Sequence, residues 1–271
     1  MLFVMGASGR VGGALVRAIT GQMPLRAAGH GPNMIPFNVL DASTYGTALD
    51  GVTAVFLMRP PHVTKASAFA PFLDACVARD IRRLVVLSVK GAEHTRLLPH
   101  HGMEQEVMRR PFAWTMLRPA DFMQNLETVL KDDIRCRDQI AVPAGRGASA
   151  FVDVADLGMA AAKVLLNEGH AGRSYTLTGS EALRFDQVAE IMSHQLKRRI
   201  VYAPPGITRF ITSQLTSGSS LGIALVMTVL YTVQRLGGAA AVTDELSRLL
   251  GRPAGSLNSY VERNAAVWGR N

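Results

Sequence analysis

A short apolar run, Leu2 to Met5, is followed at once by Gly6, Gly9 and Gly12 in a GxxGxxG arrangement. Val11, Ala14, Leu15, Ala18 and Ile19 then recur at helical spacing. A buried strand, a glycine turn and an amphipathic helix, in this order, make the entry of a dinucleotide-binding βαβ unit. Each glycine has a task. Gly6 permits the tight turn out of the strand. Gly9 lets a pyrophosphate approach the backbone, and Gly12 permits close packing of helix and sheet. The unpaired N–H groups and the dipole of the helix start face the phosphates. Gly6, Ser8, Gly9, Arg10, Val11 and Gly12 are therefore the expected contacts of this turn.

The second strand is read at Leu25 to Ala28. In such units a carboxylate at this point accepts hydrogen bonds from the ribose 2′-OH of NAD. Residues 21–37 contain no Asp or Glu, whereas Arg10, Arg26 and His30 lie in the relevant stretch. The missing carboxylate and the available positive charge favour a 2′-phosphate, hence NADP(H), with NADPH preferred over NADH. Arg10 is the first choice for that phosphate. Arg26 is open to pointing away, and His30 to being a cofactor contact or ordinary surface.

A chain of 271 residues with 48 % hydrophobic content has room for one large α/β domain, or one with a small attached lobe. The formal charge of +8 invites a nucleic-acid partner. The basic residues are scattered, however, with a run of three only at Lys197 to Arg199, so no nucleic-acid partner is expected. Cys76 and Cys136 are the only cysteines and no CxxC exists, which fits a reduced cytoplasmic protein. The first strand begins at residue 2, so no signal segment is expected. Leu221 to Leu236 includes Thr228, Tyr231, Thr232, Gln234 and Arg235. It is too short and too polar for an ordinary membrane span. A packed helix is the reading, with Met227 and Tyr231 open to either pocket or core, and no membrane partner is expected.

Along the chain, short apolar runs alternate with helical patterns. Strands are read at Ile35 to Asn38, Thr53 to Met58, Leu84 to Val89, Trp114 to Leu117, Ile140 to Pro143 and Gly172 to Leu177. Helices are read at 64–79, from Asp153 or Asp156 through Leu166, and at 185–196. Right-handed parallel crossovers follow from this alternation. Beyond Pro204 the pattern turns helical, at about 206–216, 221–236, 239–250 and 257–267. The expected architecture is a Rossmann-type doubly wound parallel sheet with a smaller, mostly helical C-terminal lobe. Residues 1–150 would form the nucleotide core, 151–203 a mixed segment, and 204–271 a substrate lobe.

Open α/β sheets bind ligands at the carboxyl ends of their strands. Those ends place Met58, Arg59, Ser88, Val89, Lys90, Pro119 and Phe122 as further cofactor contacts, with Asn38 beside the adenine. HHGMEQEV at 100–107 supplies a candidate acid. His100 and Glu104 stand one helical turn apart, so His100 could donate a proton that Glu104 orients or neutralises. His101 is the competing choice. Glu106 and Arg110 are expected to pair at i,i+4. His94, His100 and His101 lack a clear further ligand, so no metal site is expected.

The assembled motifs resemble the NmrA-like branch of the atypical short-chain dehydrogenase/reductase superfamily. They are GASGRVG at 6–12, FLMRPP at 56–61, VVLSVKGAE at 85–93, HHGMEQEV at 100–107, WTMLRPADFMQN at 114–125, FVDVADLG at 151–158 and LLGRPAGSLNSYVERN at 249–264. The resemblance implies an extended Rossmann domain with a dinucleotide across its strand ends. It implies an NAD(P)H-dependent reductase of quinones or aromatic dyes, or else a regulator that binds the dinucleotide without turnover. Ordinary short-chain dehydrogenases use Tyr-x-x-x-Lys. None of the tyrosines at 45, 175, 202, 231 and 260 has Lys four residues later. Where the resemblance places that pair, this chain has His100 and Glu104. The acceptor is expected to be a small quinone-like or aromatic molecule, and the protein a monomer or homodimer.

Overall fold

Runs such as Leu2–Val4 and Ala54–Met58 have no polar side chain, and a sheet covered on both faces needs such strands. The computed structural model describes residues 1–96 and 98–269. The chain runs β1 (Leu2–Val4), α1 (Arg10–Ile19), β2 (Leu25–Ala27), α2 (Tyr45–Leu49), β3 (Ala54–Met58), α3 (Ala70–Ala78), β4 (Arg83–Leu87), α4 (Pro99–Met108) and β5 (Ala113–Pro119). It continues through α5 (Lys131–Arg137), β6 (Gln139–Ile140), β7 (Ala148–Ser149), α6 (Val154–Leu166), β8 (Arg173–Leu177), β9 (Leu183–Arg184) and α7 (Phe185–Leu196). β10 (Val201–Tyr202), α8 (Ile207–Thr216), α9 (Leu221–Arg235), α10 (Glu245–Leu250) and α11 (Leu257–Asn264) complete it.

These elements form two units. The first comprises Met1–Pro119, Val154–Leu177 and Glu245–Pro253. Its sheet is wholly parallel, in the order β2-β1-β3-β4-β5-β8. The order reverses between β1 and β3, and that switch point is where an open α/β sheet offers a crevice. Phe3, Val55, Leu57, Leu84 and Val86 enter one core with Phe72, Leu73 and Met103 from the helices. α6 lies against α1, and a Cβ on Gly158 would fall 2.5–2.8 Å from Ala14 atoms, so only glycine allows that approach. This is the doubly wound core that the alternating pattern predicts.

The second unit comprises Ala120–Asp153, Thr178–Asp244 and Ala254–Asn271. It is mostly helical, with two short ladders, β10-β6 and β7-β9. Its core gathers Met123, Ile140, Phe151, Phe185, Met192, Phe210 and Trp268, with Tyr231 and Met227 packed against it. Trp268 Nε1 donates to the Leu126 carbonyl at 2.9 Å, which ties the last described turn to that core.

Four expected elements differ, one being the strand expected at Ile140 to Pro143, which is the two-residue β6. The strand expected at 35–38 is a single parallel bridge between Ala28 and Ile35, and the ladder does not continue to Phe37. Ile35 N donates to Ala27 O (2.9 Å) and Gly29 N to Ile35 O (3.2 Å). The helix expected at 64–79 is a 3₁₀ turn, Ala66–Phe69, followed by α3. That expected at 239–250 is α10 alone, preceded by irregular chain.

Candidate functional site

The glycine turn sits at the switch point. Gly6 has φ +69°, a conformation that favours glycine, and a Cβ there would overlap Met58 Sδ. A Cβ on Gly12 would overlap the Gly6 carbonyl oxygen. Gly9 N donates back to Gly6 O (2.9 Å), and Gly9 is the N-cap of α1. The first turn of α1 carries no acidic residue, so its free N–H groups are not neutralised by a nearby carboxylate. Val11 is buried and anchors the helix, whereas Ser8, Gly9 and Arg10 are exposed. Ser8 Oγ lies 2.7 Å from where a Cβ on Gly29 would stand, so the end of β2 runs against the turn. The structure therefore brings Gly6, Ser8, Gly9, Arg10, Val11 and Gly12 together as a cradle that extra Cβ atoms would fill.

Around it the other candidates separate. His30 is exposed beyond β2. Arg26 is turned to α2, where Nη1 donates to the carbonyls of Thr47, Ala48 and Asp50 (2.8, 3.2 and 2.6 Å). It caps the helix C-terminus with positive charge. Asn38 is exposed and its Oδ1 accepts from Leu40 N at 3.0 Å, forming a turn, while Val39 is buried. Phe122 belongs to the second unit, bridged to Val152.

At the carboxyl ends of β3, β4 and β5 the polar groups fall into three sets. Arg59 Nη1 donates to the carbonyls of Pro60, Pro61 and Val63 (3.2, 3.1 and 2.9 Å), holding the loop after β3. Arg59 Nε donates to His100 Nε2 at 3.4 Å. Ser88 is 1 % exposed, and its Oγ finds no hydrogen-bond partner among the described residues. Its own N–H donates to Leu117 O (2.8 Å). Beyond half-buried Val89, Lys90 N donates to Pro119 O (2.9 Å), so the ends of β4 and β5 stay zipped.

The third set is a buried ion pair that sequence spacing did not reveal. Glu104 is 1 % exposed, and both its oxygens meet Arg118, at 3.0 Å to Nε and 2.6 Å to Nη2. Glu93 adds a second carboxylate at 3.5 Å from Arg118 Nε. The Glu104 hydrogen bond is the main cause that raises the Arg118 pKa above its ordinary value. The one signal was an arginine closing an otherwise apolar strand. Its partner lies on another element, where no i,i+4 rule applies. The expected Glu106–Arg110 pair is present at 2.9 Å.

The two histidines differ. His101 Nδ1 lies 2.8 Å from Ala92 O, so this nitrogen carries the proton and Nε2 remains for exchange. His100 is pushed down to about 4, by burial first and by the Arg59 charge second, with Glu104 acting the other way. His100 is thus neutral near pH 7, and its Nε2 is an acceptor. An ordinary unfolded histidine titrates near 6.5. Stability from this group is therefore complete above about pH 6.5 and declines as pH falls to about 4, by up to about 3 kcal/mol. Thermal midpoints of wild type and His100→Asn across that interval check this. The wild type should lose more stability than the variant, and parallel curves would contradict a neutral His100.

No protein-family model matches the chain. The NAD(P)H azoreductase of Xenophilus azovorans is 25 % identical over 287 residues, covering 99 % of each chain. A quinone oxidoreductase of Escherichia coli solved with NADPH superposes with a TM-score of 0.88, at 22 % identity, covering 98 % of this chain and 100 % of that one. NmrA, a negative transcriptional regulator solved with NAD, gives 0.75 at 16 % identity, covering 96 % and 94 %. The fold, a Rossmann core with a more helical C-terminal region, is shared with both structures. The chain is homologous to NAD(P)H-dependent oxidoreductases.

Proposed function

We propose that the chain is an NAD(P)H-dependent reductase that transfers hydride to a quinone or another flat aromatic acceptor, using NADPH in preference to NADH. The observation that carries this reading is the cradle at Gly6 to Gly12. Gly6 and Gly12 have no room for side chains, and the turn closes on a helix start whose first turn carries no acidic residue. Whole-length homology to an NAD(P)H azoreductase supports the reductase class.

Ser8, Gly9 and Arg10 would hold the phosphates, with Arg10 on a 2′-phosphate and His30 and Asn38 on the adenosine side. Met58, Arg59, Ser88, Val89, Lys90, Pro119 and Phe122 would hold the nicotinamide side. On this reading residues 1–150 would form the nucleotide-binding core, 151–203 would complete the core and the substrate lobe, and 204–271 would form the helical substrate lobe. The bound nicotinamide supplies the hydride, and the protein sets distance, orientation and electrostatics. Ser88 Oγ offers a buried hydrogen-bonding group without a protein partner. Burial first and the Arg59 charge second keep His100 uncharged, so His100 serves as a neutral hydrogen-bonding wall. His101, its Nδ1–H held by Ala92 O, would pass to the reduced acceptor a proton that Nε2 has taken up from solvent. Glu104 acts through Arg118 as a positioning residue.

Quinone-dependent nucleotide oxidation by wild type and Arg10→Ala tests the proposal. A lost arginine–phosphate contact should raise the KM for NADPH about ten- to a hundredfold and leave that for NADH nearly unchanged. Equal effects on both nucleotides would remove Arg10 from the phosphate site. Nucleotide binding without oxidation would instead favour a non-catalytic NADP(H) sensor, the reading that the missing Tyr-x-x-x-Lys pair supports.

A further inference from the structure

α9 is inverted relative to a helix that packs on a core in water. Its inward side carries Ala224, Thr228 and Gln234, all buried. Its outward side carries Ile223, Leu225, Val226, Val229, Leu230 and Val233, each between 47 and 61 % exposed. At helical spacing these six lie on one continuous face, which Leu221 and Leu236 extend at either end. α8 packs against α9 and adds exposed Ile207 and Leu215. An aliphatic face of this extent exceeds what a monomer in water ordinarily leaves open, and it marks a docking surface.

Charge selects the occupant. Residues 191–243 contain Lys197, Arg198, Arg199, Arg209 and Arg235 and no Asp or Glu. Arg198 is held inside the second unit by the Ile134 and Trp268 carbonyls, while the other four are exposed, Arg209 on α8 and Arg235 at the end of α9. A second copy would meet this patch through a two-fold axis, patch on identical patch. A segment with basic and no acidic side chains cannot complement itself in that way, and a chain of net charge +8 repels its copy. An anionic bilayer satisfies both features, with aliphatic side chains at the acyl boundary and lysine and arginine among the headgroups.

We infer that the α8–α9 segment docks the protein on the surface of an anionic lipid bilayer. This is adsorption and not a span, since no described helix is long and apolar enough to cross a membrane. The inference does not rest on the reductase reading. The test is co-sedimentation of the full chain with vesicles of mixed phosphatidylglycerol and phosphatidylcholine, and with phosphatidylcholine alone. Wild type should bind the anionic vesicles, release them as salt is raised, and bind the neutral ones weakly. Val226→Glu with Val229→Glu should weaken anionic binding about tenfold or more. Arg199→Glu with Arg209→Glu, which alters exposed charges only, should do the same if the first variant misfolds. Nucleotide affinity in lipid-free solution should be unchanged in both. No binding to anionic vesicles, or binding that both variants retain, overturns the inference. So does a lipid-free dimer that the valine substitutions split, because it assigns the face to a second copy.

Discussion

Arg118→Met is expected to lower the unfolding free energy by about 3–5 kcal/mol, because it strands a buried carboxylate. Glu104 is 1 % exposed and both its oxygens depend on Arg118. Glu93, 3.5 Å from the same guanidinium, would then face Glu104 without a cation between them. Net stabilities of about 5–15 kcal/mol make this a large fraction of the total. The pair also ties α4, which carries His100 and His101, to the end of β5, so turnover should fall as well. Urea unfolding of wild type, Arg118→Met and the double variant Glu104→Met/Arg118→Met checks the cause. Most of the loss should be recovered in the double variant, because no buried charge remains unpaired. A single-variant loss below about 1 kcal/mol would show that the carboxylate finds water or another partner.

The second large effect is expected at Gly12. In Gly12→Val the added Cβ meets the Gly6 carbonyl, a backbone group that cannot swing aside as a side chain can. Overpacking of this kind costs about 1–3 kcal/mol, and the turn must distort where the phosphates would sit. NADPH affinity should fall about a hundredfold, the equivalent of nearly 3 kcal/mol. Gly46→Ala in α2 is the control, because a Cβ there meets nothing within 4 Å. It should leave affinity unchanged and stability equal or slightly higher. Calorimetric titration with NADPH measures both. Retained affinity in Gly12→Val would remove the turn from the binding site.

The parts of this fold legible in the sequence are those where local pattern and tertiary role coincide. Leu2–Val4, Ala54–Met58 and Arg83–Leu87 read as strands because a parallel sheet buried on both faces needs unbroken apolar runs. Gly6 reads as a turn residue because its φ of +69° favours glycine, and Gly12 as a packing residue because the Gly6 carbonyl leaves no room for a Cβ. At Ile35 the apolar pattern predicts a strand and the structure has a single bridge, because a short apolar stretch does not specify whether a pairing extends. At the site, His100 and Glu104 look like partners at i,i+4 spacing. Their first partners are instead Arg59 and Arg118, on separate strand ends, and nothing in a linear pattern announces such contacts. α9 was hardest to place. The sequence reads it as a packed helix with Met227 and Tyr231 in pocket or core, and the structure sets both against the core, with Tyr231 in ring contact with Phe185 and Phe210.

Single-turnover oxidation of protein-bound NADPH after rapid mixing with a water-soluble quinone tests the central claim most directly. It is followed by the absorbance of the reduced nicotinamide. Saturable oxidation, faster than in the protein-free control and faster with NADPH than with NADH, is the predicted result. Tight NADPH binding with no acceleration by any quinone of a varied panel would contradict a reductase and leave a nucleotide sensor.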